Sequence, residues 1–161
     1  MNTVFLSLGS NISPRKNYLN QALKEINQRL GEITAQSKIY ETPAWGFVSE
    51  NFYNMAIAVQ TEKSSKEVID GCLKIEKDLG RVRLSKNGYS ARVIDIDVLF
   101  FNEEIIQTEK LIVPHPLLHQ RDFVLLPLQE IAANFVHPIY NQTITQLRNQ
   151  LSDKIEEIVV R

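Results

Sequence analysis

Two helix-forming stretches, each set between strand-forming runs, constrain this chain more than any other feature. Thr3 to Leu8 reads as a strand that Gly9-Ser10-Asn11 breaks, and Ser13 as N-cap with Pro14 at the first helical position starts a helix. Leu19, Ala22, Leu23, Ile26 and Leu30 then recur at helical spacing, and Gly31 is the stop. Ile33 to Tyr40 and Phe52 to Thr61 follow as strands, separated by an irregular loop, Thr42-Pro43-Ala44-Trp45-Gly46, long enough to carry function. Ser64 and Glu67 form a capping box ahead of a second helix, whose apolar face holds Val68, Ile69, Cys72, Leu73 and Leu79 and which Gly80 ends. Ile94 to Phe101 is the strongest strand, and Asn102-Glu103-Glu104 turns it toward Ile105-Ile106. The order strand, helix, strand, strand, helix, strand predicts an α+β fold, the ferredoxin-like βαββαβ sandwich, with both helices on one face of an antiparallel sheet. Phe123 to Ile131 and Thr143 to Leu151 are expected to add C-terminal helices.

Composition narrows the function classes. At 161 residues, 43% apolar and 23% charged, the chain is expected to form a single domain over 1–161. Eighteen basic and 19 acidic side chains give a net charge of -1, so nothing in bulk attracts nucleic acid or an anionic membrane, and phosphate binding requires a local cluster. Cys72 is the only cysteine, the start lacks a basic-then-apolar leader, and no apolar run approaches the ~18 to 20 residues of a membrane span. The expectation is a cytoplasmic protein, with neither nucleic acid nor membrane among its partners.

Asp95 and Asp97 lie in the most apolar strand, and a period of two places both carboxylates on one face. Two like charges side by side call for a cation, and a hard ion such as Mg²⁺, held through one or two carboxylates and completed by water and substrate phosphates, answers that need. The alternatives are an edge strand whose polar face meets water, or a carboxylate paired with Arg92. Immediately upstream, Arg81, Arg83, Lys86 and Arg92 occur with no acidic residue among them. Their charges match phosphate oxygens, and a loop with Asn87, Gly88 and Ser90 could close over a polyanion. The plainer reading is a solvated loop whose arginines pair with surface acids.

His115 sits between Pro114 and Pro116, which stiffen its backbone and aim its imidazole, and Arg121 follows. Glu76 falls on the apolar face of its helix, where a charge partner such as Arg81 or Arg83 is expected, unless it is a solvated helix-end glutamate. Trp45, Phe52, Tyr53, Tyr89 and Phe123 offer aromatic surface and Asn54 a planar amide. Together they could stack and read a flat heterocycle, although aromatics at strand positions usually belong to a core.

Phe5-Leu6-Ser7-Leu8-Gly9-Ser10-Asn11, Glu41-Thr42-Pro43, Phe52-Tyr53-Asn54, Gly80-Arg81-Val82-Arg83, Ser90 through Asp97, Val113-Pro114-His115-Pro116 and Arg121-Asp122-Phe123 together resemble the 6-hydroxymethyl-7,8-dihydropterin pyrophosphokinases of folate biosynthesis, over nearly the whole chain. The resemblance implies transfer of the β,γ-pyrophosphoryl group of ATP to the pterin hydroxymethyl group, with release of AMP. It implies that Asp95 and Asp97 hold a pair of Mg²⁺ ions and that Arg81 and Arg92 assist catalysis from the loop. Glu76, Arg83, Arg92, Val98, Lys110, Ile112, His115 and Arg121 would contact ATP. Thr42, Pro43, Ala44, Trp45, Phe52, Asn54, Tyr89 and Phe123 would form the pterin pocket of a monomeric enzyme. Tyr89 stands where the family often has tryptophan, and Leu73, Lys110 and Ile112 stand where some members have polar or arginine contacts to ATP; Lys110 keeps the charge without the bidentate fork. A nucleotidyltransferase would bring its Gly-Ser signal close to the Asp pair, unlike Ser10 and Asp95. A ligand-sensing ferredoxin-like module is the non-enzymatic alternative.

Overall fold

The computed structural model describes residues 1–43, 50–80 and 93–161. Strands β1 (Asn2–Ser10), β2 (Glu32–Gln36), β3 (Tyr40–Thr42), β4 (Phe52–Thr61) and β5 (Asp95–Phe101) form one antiparallel sheet in the order β2-β4-β1-β5, with β3 also paired to β4. Helix α1 (Arg15–Arg29) joins β1 to β2, and α2 (Ser65–Asp78) joins β4 to β5. Each crossover skips one intervening strand, so the fold is the ferredoxin-like sandwich expected from the element order.

Alternation along β1 decides which side chains meet which helix. Val4, Leu6 and Leu8 pack with Met55, Ile57 and Val59 of β4 under Leu19, Ala22 and Ile26 of α1 and Val68, Cys72 and Ile75 of α2. Phe5 turns to the opposite face with Ala56 and Ala58, and there α3 (Asp122–Ala132) and α4 (Ile144–Asn149) supply Val124, Leu125, Leu128, Ile144 and Leu147. Both faces are therefore covered, the first by the crossover helices and the second by the C-terminal ones. A bulge in β5 adjusts the fit: Leu6 opposes Val98 and Phe5 opposes Phe100, leaving Leu99 as the extra residue. Leu99 and Phe100 both reach the second core, and Phe101 returns to the first.

Several local expectations change. Helix α1 begins at Arg15 after an extended Pro14 (φ -85°, ψ 101°), so Ser13 is not its cap; the Ser13 hydroxyl instead donates to Glu50 Oε2 at 3.4 Å. Gly9 and Ser10 continue β1 rather than ending it. The stretch from Ile33 to Tyr40 divides into β2 and β3 because Ser37 bonds Ala56 through both its amide and its hydroxyl. The next amide, that of Lys38, donates to the Glu130 carboxylate of α3. The Ser64–Glu67 capping box is present, and Gly80 ends the helix region at a φ of 103° that a side chain would disfavour. Leu73 does not join the apolar face of α2 but stands 37% exposed, whereas Ile75 and Glu76 are buried. After β5, Ile106–Gln107 (β6) and Ile112–Val113 (β7) pair as a short hairpin, and a 3-10 turn at Leu118–Gln120 leads into α3. No described helix is long and apolar enough to cross a membrane.

Candidate active site

Cross-strand register builds the site. Asp97 lies opposite Ser7, which lies opposite Ala56, and Asp95 lies opposite Gly9, which lies opposite Asn54 and, beyond it, Tyr40. Residues directly opposed across an antiparallel sheet share a face, so both carboxylates and the Asn54 amide project to the side that carries Phe5. Gly9, in the middle of the row, has no side chain of its own, and the Asn54 amide leans over it. At the ~4.8 Å spacing of strands, the backbones of Asp95 and Asn54 stand about 10 Å apart. A β-carbon on Gly9 would meet Asn54 Oδ1 at 2.7 Å and the Phe52 ring at 3.5 Å, so the amide occupies the space that a side chain would take. Gly9 was the residue that sequence reading missed; a glycine inside a strand was the available signal for such a close approach.

Asn54 is 5% exposed, and its Nδ2 donates to Thr42 Oγ1, which β3 presents opposite Phe52. This bond fixes the orientation of the amide. Phe123, in the first turn of α3, is partly buried, and the Arg121 guanidinium stands 5.6 Å from the centre of its ring. Pro43 is exposed at the edge of this group. Thr42, Phe52 and Asn54 are thus brought together. Ala44, Trp45 and Tyr89, expected in the same pocket, lie outside the described residues.

On the outer edge of β5 a cavity of about 330 Å³ opens between α2, the strand and the β6–β7 hairpin. Its lining includes Glu76, Asp95, Asp97, Val98, Lys110, Ile112 and His115, which are the Asp pair and five of the expected ATP contacts. Leu73 and Ile112, 37% and 47% exposed, give it apolar lips. Lys110 Nζ pairs with Asp70 at 3.1 Å at the surface. Glu76 is only 4% exposed, which excludes a solvated helix-end glutamate; its Oε2 accepts the outward-facing Ile96 amide at 2.7 Å. The partners expected for Glu76, Arg81 and Arg83, lie outside the described residues, as do Lys86 and Arg92.

His115 is anchored to β5 by its backbone amide, which donates to the Leu99 carbonyl at 3.0 Å. Its Nδ1 accepts the Leu117 amide at 3.3 Å, so the neutral ring carries its proton on Nε2. Burial, with the nearby Arg121 charge, pushes its pKa down to about 4 against the opposing pull of Asp95. The neutral imidazole is therefore favoured near neutral pH, with Nε2 as its hydrogen-bond donor.

Among the described residues no group of three or more His, Cys, Asp or Glu side chains is arranged for a metal ion. The Asp95/Asp97 pair nonetheless fits Mg²⁺ by its donor chemistry, since this ion commonly takes one or two carboxylates and fills its octahedron with water and phosphate oxygens. The pair also borders the cavity that would supply those phosphates.

The family model for 7,8-dihydro-6-hydroxymethylpterin-pyrophosphokinase (HPPK) matches residues 5–133. A 2-amino-4-hydroxy-6-hydroxymethyldihydropteridine pyrophosphokinase of Aquifex aeolicus is 40% identical over 149 residues, covering 92% of this chain and 91% of that protein. The Bacillus subtilis protein of the same name is 42% identical over 132 residues, covering 81% of this chain and 78% of its own. A crystal structure of Plasmodium falciparum HPPK-DHPS superposes with a TM-score of 0.76 at 19% identity, covering 92% of this chain but 43% of that longer one. That structural likeness bears on the fold. The matched family model and the two relatives go further: the chain belongs to the 7,8-dihydro-6-hydroxymethylpterin-pyrophosphokinase family.

Proposed function

We propose that this protein transfers the β,γ-pyrophosphoryl group of ATP to the hydroxymethyl oxygen of 6-hydroxymethyl-7,8-dihydropterin, giving AMP and the pterin diphosphate in folate biosynthesis. The observation that carries the reading is the position of Asp95 and Asp97. They line the edge cavity and stand at the end of the cross-strand row that runs through Gly9 to Asn54. A nucleotide on one side and a flat heterocycle on the other would both reach them.

In this reading Leu73 and Ile112 flank the adenine. Val98, two residues beyond the outward-facing Ile96 amide, offers its own backbone groups at the same edge. His115 donates from Nε2 to a phosphate oxygen, and Lys110 and Arg121 add positive charge. The pterin sets its amide edge on Asn54, which leans over Gly9 and whose orientation Thr42 fixes, and Phe52 and Phe123 contact its ring. Asp95 and Asp97 would hold two Mg²⁺ ions, which when bound neutralise phosphate charge and polarise the attacking and leaving oxygens. Arg81, Arg83 and Arg92 complete the phosphate contacts, and Pro43, Ala44, Trp45 and Tyr89 complete the pterin side. No covalent enzyme intermediate is needed: Cys72 is fully buried, and burial raises the pKa of its thiol. The working unit is proposed to be a monomer, and a cytoplasmic location is in keeping with a step of folate biosynthesis.

³¹P NMR of the protein with ATP, Mg²⁺ and the pterin tests the reaction. AMP and a pterin diphosphate are expected; ADP would identify a simple kinase, and no pterin-dependent turnover by folded protein would return the ligand-sensing module to consideration.

A further inference from the structure

Between Arg121 and Phe123 stands Asp122, a carboxylate that is 5% exposed. It accepts hydrogen bonds from Arg148 Nε at 2.7 Å, from Arg148 Nη2 at 3.3 Å and from the Ile155 amide at 2.9 Å. Arg148 lies in the last turn of α4, and the Asp122 bond raises its pKa, so its charge is permanent. From Ile155 the chain runs to β3. The Ile158 carbonyl accepts the Glu41 amide at 2.8 Å, and the Val160 amide donates to the Ile39 carbonyl at 2.8 Å. Tyr40 and Val159 form the bridge between those bonds.

β3 ends at Thr42, which holds Asn54, and α3 begins at Asp122, next to Phe123. The two walls of the proposed pterin pocket are therefore tied to each other through residues 148–160. A second tie lies further along α3, where Glu130 accepts the Tyr40 hydroxyl at 2.6 Å and the Lys38 amide. Residues 148–160 fall outside the 5–133 span matched by the family model, so the tie at the pocket end of α3 is built from the part of the chain beyond that match. A buried ion pair adds little net stability over apolar residues of equal volume, and what it contributes here is a fixed geometry.

We infer that Asp122 is a positioning residue for the pterin: with Arg148 and the C-terminal strap it sets the distance between Phe123 and the Thr42–Asn54 pair. The inference rests on the pterin reading of that pocket. Its test is steady-state kinetics of AMP formation, varying pterin and ATP separately, for wild type, Asp122→Ala, Arg148→Ala, Arg148→Lys and Ile155→Pro. The last removes one donor to Asp122 from a partly exposed tail and keeps the ion pair, so it supplies a test if Asp122→Ala does not fold. Expected is a rise in KM for the pterin of about tenfold in Asp122→Ala and Arg148→Ala and about threefold in Ile155→Pro. KM for ATP and kcat should stay within about twofold, and Arg148→Lys should recover part of the loss. Variants in which both KM values rise together, or in which kcat falls in step with the folded fraction, would assign the strap to stability alone and overturn the inference. Wild type that turns over the pterin while all three disrupting variants keep its KM would overturn the strap alone. Wild type that forms no AMP with the pterin would overturn both readings.

Discussion

Gly9 lies directly across the sheet from Asn54, and the space that a β-carbon on Gly9 would need is taken by the Asn54 amide oxygen at 2.7 Å. Glycine is required at this point of β1 by the neighbour across the strand, not by backbone conformation. Gly9→Ala should push the amide off its bond to Thr42 and so misplace the edge that reads the pterin. The expected result is a loss in kcat/KM for the pterin of about 10- to 100-fold, with KM for ATP within about twofold. Pterin titration of the purified variant checks it, and an unchanged pterin KM would show that Asn54 does not read the ring.

Asp97 faces Ser7 across the strand and shares its face with Asp95. Asparagine keeps the shape and hydrogen-bonding capacity of the side chain but not its charge, so the chain should still fold while kcat falls at least about 10³-fold. Circular dichroism melts separate the two effects. Near-normal turnover of folded Asp97→Asn would sink the metal role of the pair.

Glu76 holds the edge of β5 through the Ile96 amide. In Glu76→Ala that buried donor loses its acceptor, at a cost of roughly 1 to 3 kcal/mol, or a Tm lower by about 2 to 12 °C, and KM for ATP should rise because the strand edge borders the cavity. Glu76→Gln keeps an acceptor oxygen and should recover most of the stability. Equal melting temperatures for the alanine variant and wild type would show that the bond contributes nothing.

The sandwich was legible because the order of strand-forming and helix-forming runs survives errors at their ends: α2 shows its capping box in four letters, and β4 covers Phe52–Thr61 as expected, while β1 runs past its expected stop and Ser13 does not cap α1. The Asp pair was legible for a similar reason, since two carboxylates in an apolar strand contradict their surroundings. What stayed hidden depends on partners distant in sequence. Glu76 reads as a misplaced charge until Ile96 is set beside it, and the division of Ile33 to Tyr40 follows from Ser37 meeting Ala56 and Lys38 meeting Glu130. Asp122 resembles an ordinary residue of a helix's first turn, and only the folded chain brings Arg148 and Ile155 to it. The bulge at Leu99 is likewise invisible in a run of consecutive apolar residues.

His115 stays neutral across the working range, with its pKa near 4. His115→Gln, which keeps an amide donor near the position of Nε2, should therefore lower kcat/KM for ATP by about tenfold at every pH between 6 and 8 without removing an ionisation from the profile. Loss of a limb near pH 6.5 in the variant would mean that the ring transfers a proton after all.

His137 gives the acid response of the fold. It is 1% exposed, its Nδ1 accepts the amides of Ile139 and Tyr140, and its ring lies 4.6 Å from that of Tyr140. Burial, with a smaller contribution from His119, lowers its pKa from 6.5 to about 4. The unfolded chain takes up a proton near pH 6.5 while the folded chain refuses it until about pH 4, so the neutral site favours folding above 6.5 and that stability is lost as pH falls through the window. His115 acts in the same direction. His137→Asn cannot take up this proton. Its Tm should lie well below that of wild type at pH 7.5, and the gap should narrow steadily toward pH 4.5. A gap that is constant with pH, measured by differential scanning calorimetry in matched buffers, would show that His137 protonates as readily in the folded protein as in the unfolded chain.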